Sequence, residues 1–261
     1  MFEGIKTNFK FGITERGDAG LDLTWTDRIH AVEGAVIISK CANLEFSQAL
    51  LNYREKIIYH STCTGFGGTL FEPNVPSVDE KFKHLKYIID QGFPAEQIVV
   101  RIDPLFPLMW EEKINRVLNI NYFNILNDIL LRTESLGIKR VRYSYLDCYP
   151  HVLERLKKLN AELIFNIPWT LCHKNEFLLE EMNRNLEYET CCEFECPPWQ
   201  KIGCISNKDL KILNKNNLRF TGISKQRLGC LCPGNKLELL NHKYRCDNKC
   251  VYCYWKDKNE H

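Results

Sequence analysis

Residues 245–255 read RCDNKCVYCYW, which places Cys246, Cys250 and Cys253 in a C-x-x-x-C-x-x-C spacing with Tyr252, Tyr254 and Trp255 around the last thiol. Thiolates are the ligands of iron–sulfur clusters and of zinc. A cubane of four irons has four corners, so three cysteines leave one iron open to a small chelating molecule. A structural zinc site prefers a closed tetrahedron and would need a fourth ligand here, such as Cys230, Cys232 or His242. A second set consists of Cys191, Cys204, Cys230 and Cys232, with Cys192 and Cys196 as substitutes. Four thiolates close a second cubane or one zinc site, or else stay free.

The distribution of thiols carries this reading more than their number. Of thirteen cysteines, nine fall between Cys191 and Cys253, while Cys41, Cys63, Cys148 and Cys172 are scattered. No stretch approaches the ~20 apolar residues of a membrane span. The opening MFEGIKTNFKF lacks the apolar core of a signal peptide. The expected compartment is therefore cytoplasmic and reducing, where crowded thiols point to metal rather than disulfides. A chain of 261 residues, 44% apolar and 26% charged, builds a full core without staples. A net charge of +2 does not demand nucleic acid and leaves room for a local basic groove.

The elements that must position these groups alternate. Strands are expected at 9–15, 35–39, 55–63, 97–103, 138–146 and 185–192. Helices are expected at 77–91, opened by a Ser77/Glu80 capping box, at 119–136 and at 151–165. Six such βα units make a barrel or an open partial barrel, with reactive groups at the C-terminal ends of the strands. Those ends are polar: Glu15, Arg16 and Asp18; Ser39 and Lys40; Thr64 and Gly65; Arg101 and Asp103; Ser144 and Asp147; Cys191. The predicted fold class is α/β, a partial (β/α)6 TIM-like barrel over 1–192. Residues 193–261 are expected to form a cysteine-rich iron–sulfur cap with one helix near 207–215.

The C-x-x-x-C-x-aromatic-C spacing, with Tyr252 before Cys253, resembles the signature of the radical S-adenosylmethionine (SAM) superfamily. That motif normally follows the first strand, whereas here it lies at residues 246–253. The chain as a whole resembles a bacterial family of unknown function labelled DNA-repair-photolyase-like, whose members end in a comparable C-terminal CxxxCxxC motif. The similarity runs through TERGD (14–18), SKCAN (39–43), TGFGGTLFEPNVP (64–76), RIDPL (101–105), YSYLD (143–147), ETC (189–191), GCI (203–205) and GCLC (229–232). That family tends to have Arg-Arg-Thr-Asp where this chain has Glu15-Arg16-Gly17-Asp18.

The resemblance implies a [4Fe-4S] cluster on Cys246, Cys250 and Cys253 whose open iron chelates SAM. Reductive cleavage of SAM then yields a 5′-deoxyadenosyl radical that abstracts hydrogen from a substrate, with a nucleic-acid base or nucleotide as candidate. It implies an electron donor such as flavodoxin or ferredoxin. It also implies a second [4Fe-4S] cluster, or zinc, on Cys191, Cys204, Cys230 and Cys232. Arg16, Lys40, Thr64, Gly65, Arg101, Asp103 and Tyr252 are the expected SAM contacts. For each a plainer reading stands beside it. Arg101 and Asp103 also suit a structural ion pair, Lys40 a solvated loop, Gly65 with Gly67 and Gly68 an ordinary turn, and Glu72 a turn cap. Tyr145 and Asp147 are candidates to face the barrel mouth. The seven histidines show no ligand spacing among themselves. The rival from another class is a zinc-stabilised nucleic-acid-binding module without catalysis, using Trp199 or Trp255 as a stacking platform and tail residues such as Lys243, Arg245, Lys249 and Lys256.

Overall fold

The computed structural model describes residues 4–106, 116, 121–147, 149–159, 185–190, 200–224 and 229–259. Its strands are β1 (Phe11–Ile13), β2 (Ala35–Ser39), β3 (Ile57–Thr62), β4 (Ile98–Leu105), β5 (Arg140–Tyr145), β6 (Glu187–Thr190), β7 (Gln200–Lys201) and β8 (Lys236–Glu238). All eight join one parallel sheet in the order β7-β6-β5-β4-β3-β2-β1-β8. Parallel neighbours require crossovers. Among the described residues these use α1 (Trp25–Arg28), α2 (Leu44–Asn52), α3 (Val78–Asp90), α4 (Tyr122–Ser135) and α5 (Pro150–Lys158), and α6 (Asn207–Ile212) follows β7. No described helix is long and apolar enough to cross a membrane.

The α/β class and six of the strands lie where the sequence puts them. Ser77 caps α3 by accepting from the Glu80 amide, and Glu80 returns the capping bond. Helix α2 is an addition, started by the Asn43 side chain accepting from Phe46 N. The two edge strands are additions too, and both come from residues beyond 199. The tail thus pairs with the sheet at each side.

Alternation along the strands divides the core in two. On one face Ile37, Tyr59, Val100 and Tyr143 pack against α2–α5 through Phe46, Leu85 and Leu126. On the other, Val36, Ile58 and Val99 meet the tail residues Cys204, Ile205, Leu210 and Leu213. Burial on both faces explains why these strands read as continuous apolar runs.

That second face also carries charge. Arg142 donates from Nε to Glu189 Oε2 at 3.1 Å, and Arg140 donates from Nε to Oε1 at 3.1 Å. Arg140 also pairs with Asp209 of α6 at 2.9 Å. All four side chains are buried. Burial alone would raise the Glu189 carboxyl, but the charges of Arg142 and Arg140 overcome it and hold it down at about 2. A carboxyl depressed in the fold stabilises above its unfolded pKa, ~4.3, and that stabilisation fades as pH falls towards 2. Glu189→Gln should cost about 3–5 kcal/mol at neutral pH by leaving two buried guanidiniums short of a counter-charge. It should also flatten the acid limb of stability between pH 5 and 2 (about the ordinary and the folded values). Urea melts of parent and variant across that range check both, and equal acid limbs would refute the assignment.

Candidate functional site

At the C-terminal ends of the strands lies a cavity of about 550 Å³. Thr14, Ile38, Thr62, Arg101 and Ser144 line it from β1 to β5, on the face opposite the helices. The tail closes it with Cys246, Cys250 and Cys253, and with Cys204, Cys230 and Cys232. Both thiol sets that are described therefore open onto one space, along with Arg16, Lys40, Arg101, Asp103 and Tyr252.

Three anchors hold the terminal loop there. The first is Asp18, just past β1. Its Oδ1 accepts from Gly20 N at 2.9 Å and Ser39 Oγ at 2.5 Å, and its Oδ2 from Lys40 N at 2.8 Å and Asn248 Nδ2 at 2.6 Å. One buried carboxylate thus joins two strand ends to Asn248, the middle of the three residues between Cys246 and Cys250. The second anchor is the run FEPN at 71–74. Phe71 O accepts from Val251 N at 2.9 Å, and Asn74 Nδ2 donates to Asp247 O at 2.6 Å. Glu72 takes the Tyr252 hydroxyl, Lys40 Nζ at 2.6 Å and Thr64 Oγ1 at 2.7 Å. The third is Arg155 of α5, whose guanidinium donates to Cys253 O at 2.7 Å and Trp255 O at 2.8 Å.

The electrostatics follow from burial. Burial pushes the Cys246 thiol up to about 11 and raises Cys250 and Cys253 as well, while the Lys40 ammonium pulls all three down. Burial also works against the Lys40 charge, but the Glu72 carboxylate more than offsets it, so Lys40 stays protonated. A metal cation deprotonates its thiol ligands outright, so a metal bound by this loop would displace protons from it. The donor set suits an iron–sulfur cluster: three thiols and no fourth in one anchored loop at a cavity wall. Beside them, Asn248 Oδ1 and Trp255 Nε1 are buried without a hydrogen-bond partner among the described residues. Both residues line the cavity, so a bound group can meet those atoms.

The second set is drawn together by backbone approach. A Cβ at Gly203 would lie 2.7 Å from Cys232 N, so the absence of a side chain lets the two segments touch. Cys204 N donates to Cys232 Sγ at 3.2 Å, and Arg101 Nη1 to Cys204 Sγ at 3.4 Å. Cys191, Cys192 and Cys196 lie outside the described residues.

Some expected contacts go elsewhere. Thr64 and Gly65 are not on the cavity wall: Thr64 spends its hydroxyl on Glu72, and a Cβ at Gly65 would meet the Ile125 side chain at 2.6 Å. Gly67 answers to Pro76, whose carbonyl would sit 1.9 Å from an added Cβ. These glycines serve the chain's own packing. Arg101 pairs with Asp103 at 2.6 Å, and Ser144 Oγ donates to the same carboxylate at 2.7 Å. Lys40 is an internal partner of Glu72 and not a solvated residue. Tyr145 and Asp147 do line the cavity, whereas Arg16 is exposed at its rim. Two contributors carried no sequence signal of their role. Arg155 reads as one position on an amphipathic helix, and Asn248 as a filler inside the motif.

Comparison with protein-family models finds a domain of unknown function (DUF1848) over residues 26–255. No curated protein matches the chain.

Proposed function

The chain belongs to the DUF1848 family, a domain of unknown function, and from that starting point we propose that it is a radical SAM enzyme. The observation that supports this most is the anchored loop. Cys246, Cys250 and Cys253 offer three thiols, not four, to a cavity large enough for a small molecule. When bound, a [4Fe-4S] cluster supplies an open iron for SAM and a one-electron reductant, delivered by a donor such as flavodoxin or ferredoxin. The protein's own residues bind, orient and exclude water. In this reading Asp18, Glu72 and Arg155 fix the thiol loop, and Arg16 at the rim meets a carboxylate. The rings of Tyr145, Tyr149 and Tyr254 wall the cavity against solvent. Across the same space Cys204 and Cys232 offer thiols to a second metal centre, cluster or zinc, with Cys230 on the wall beside them.

The finer architecture in this reading is a curled partial (β/α)6 barrel of β1–β6. The described parts of 193–261 fill its interior and cap it. The shared side of Ile38, Thr62, Arg101 and Ser144 supports that curl. The substrate is a nucleic-acid base or nucleotide stacked on Tyr254 or Trp255. Of the tail's basic residues, Arg245 and Lys249 are engaged by Asp257, which leaves few for phosphates and favours a shallow salt dependence.

Anaerobic purification and reconstitution test the reading. The expected result is a brown protein with roughly four irons or more per chain that cleaves SAM to 5′-deoxyadenosine under a strong reductant. A colourless protein that holds zinc alone and leaves SAM intact would overturn it in favour of a binding module.

A further inference from the structure

We infer that Glu15, Cys204 and Cys232 form a single-ion site for a thiophilic divalent cation such as Zn²⁺, in the wall of the cavity and distinct from the terminal thiols. One ligand atom from each of the three lies within 4.8 Å of the others. That separation fits one coordination sphere, in which a zinc ion takes sulfur at ~2.3 Å and carboxylate oxygen at ~2.0–2.2 Å. Cys230 lines the same wall but is not part of this group. Two thiolates and a carboxylate suit zinc or ferrous iron better than calcium or magnesium, which take oxygen ligands.

The surroundings already orient each ligand. Lys236 Nζ holds Glu15 Oε2 at 2.5 Å, Arg101 Nη1 reaches Cys204 Sγ, and the Cys204 amide reaches Cys232 Sγ. Partners of this kind fix ligand geometry in metal sites. The three ligands come from the end of β1 and from two separate tail segments, so one ion ties them together. Three protein ligands beside a cavity leave a fourth position for water or a substrate heteroatom, the pattern of reactive rather than structural zinc. The site does not depend on the terminal cluster.

The test uses the chain with Cys246, Cys250 and Cys253 all changed to Ala, so the terminal site cannot contribute. Titrated with Zn²⁺, it should bind one ion per chain. Titrated with Co²⁺, it should show thiolate-to-cobalt charge transfer and the visible bands of four-coordinate cobalt. Cys204→Ser should remove about half the charge-transfer intensity. Glu15→Gln should keep that intensity, shift the visible bands and weaken binding by about 10–100-fold or more, the range already seen for losing mere supporting groups. An unshifted cobalt spectrum with unchanged affinity in Glu15→Gln would refute the carboxylate's role. Roughly four irons per chain in the triple variant would refute the single ion in favour of a second cubane. No bound metal would refute the site altogether. The same single changes in the otherwise unaltered chain should weaken zinc binding to the same degree and leave iron unchanged. That readout holds if the triple variant fails to fold, and it separates failure here from failure of the radical SAM reading, which the iron reports.

Discussion

Changing Cys246, Cys250 and Cys253 together to Ala is expected to remove one cluster's worth of iron, roughly four atoms per chain, and all SAM cleavage. The fold should survive the change. The loop is held by contacts that spare the thiols: Val251 N to Phe71 O, Asn248 to Asp18, and Arg155 to the carbonyls of Cys253 and Trp255. The lost iron would then report lost ligands and not a lost loop. Circular dichroism and the thermal melt of the metal-free proteins serve as the control. Continued formation of 5′-deoxyadenosine by a folded triple variant would place the chemistry elsewhere.

The second large effect is expected at Glu72. Its side chain is 1% exposed, and that of its partner Lys40 is 15% exposed. Glu72→Gln leaves the ammonium charged in a buried place and withdraws the anionic acceptor of the Tyr252 hydroxyl. Breaking one side of such a pair costs about 3–5 kcal/mol. The loop should loosen with it, so the variant should also take up less iron. Lys40→Met made on top of Glu72→Gln should recover a good part of the loss, because the uncompensated charge is then gone, and a double-mutant cycle isolates the coupling. A Glu72→Gln chain that melts and loads iron like the parent would show that Glu72 is no hub.

Much of the scaffold was legible. β2 spans the residues its apolar run marks, and α3 starts at its capping box, because both depend on local periodicity and local hydrogen bonds. What escaped depends on distant partners. β7 and β8 have two and three residues, too short for a period, and are strands only because β6 and β1 accept them. TGFGG after a strand reads alike whether a ligand or the chain itself approaches; here Pro76 and Ile125 do. Glu15 is visible as a polar strand end, but nothing local tells that Cys204 and Cys232 will sit beside it. The terminal thiol motif was plain, while its anchors at Asp18, Glu72 and Arg155 were scattered over the chain.

The tail's grip on both margins of the sheet has a kinetic consequence. Glu15 N donates to the Glu238 carboxylate, 223 residues away in sequence. Closing so long a loop costs little more free energy than closing one half as long, since the entropy grows only logarithmically. It is slow nonetheless, because contacts of such sequence separation form late. The walls of the cavity are drawn from residues 14–18 and 230–255 alike, so a chain that has folded only its middle strands has no cavity. Refolding followed by a probe at Trp25 should therefore run ahead of the recovery of metal binding, and the lag between them would measure the docking of the tail.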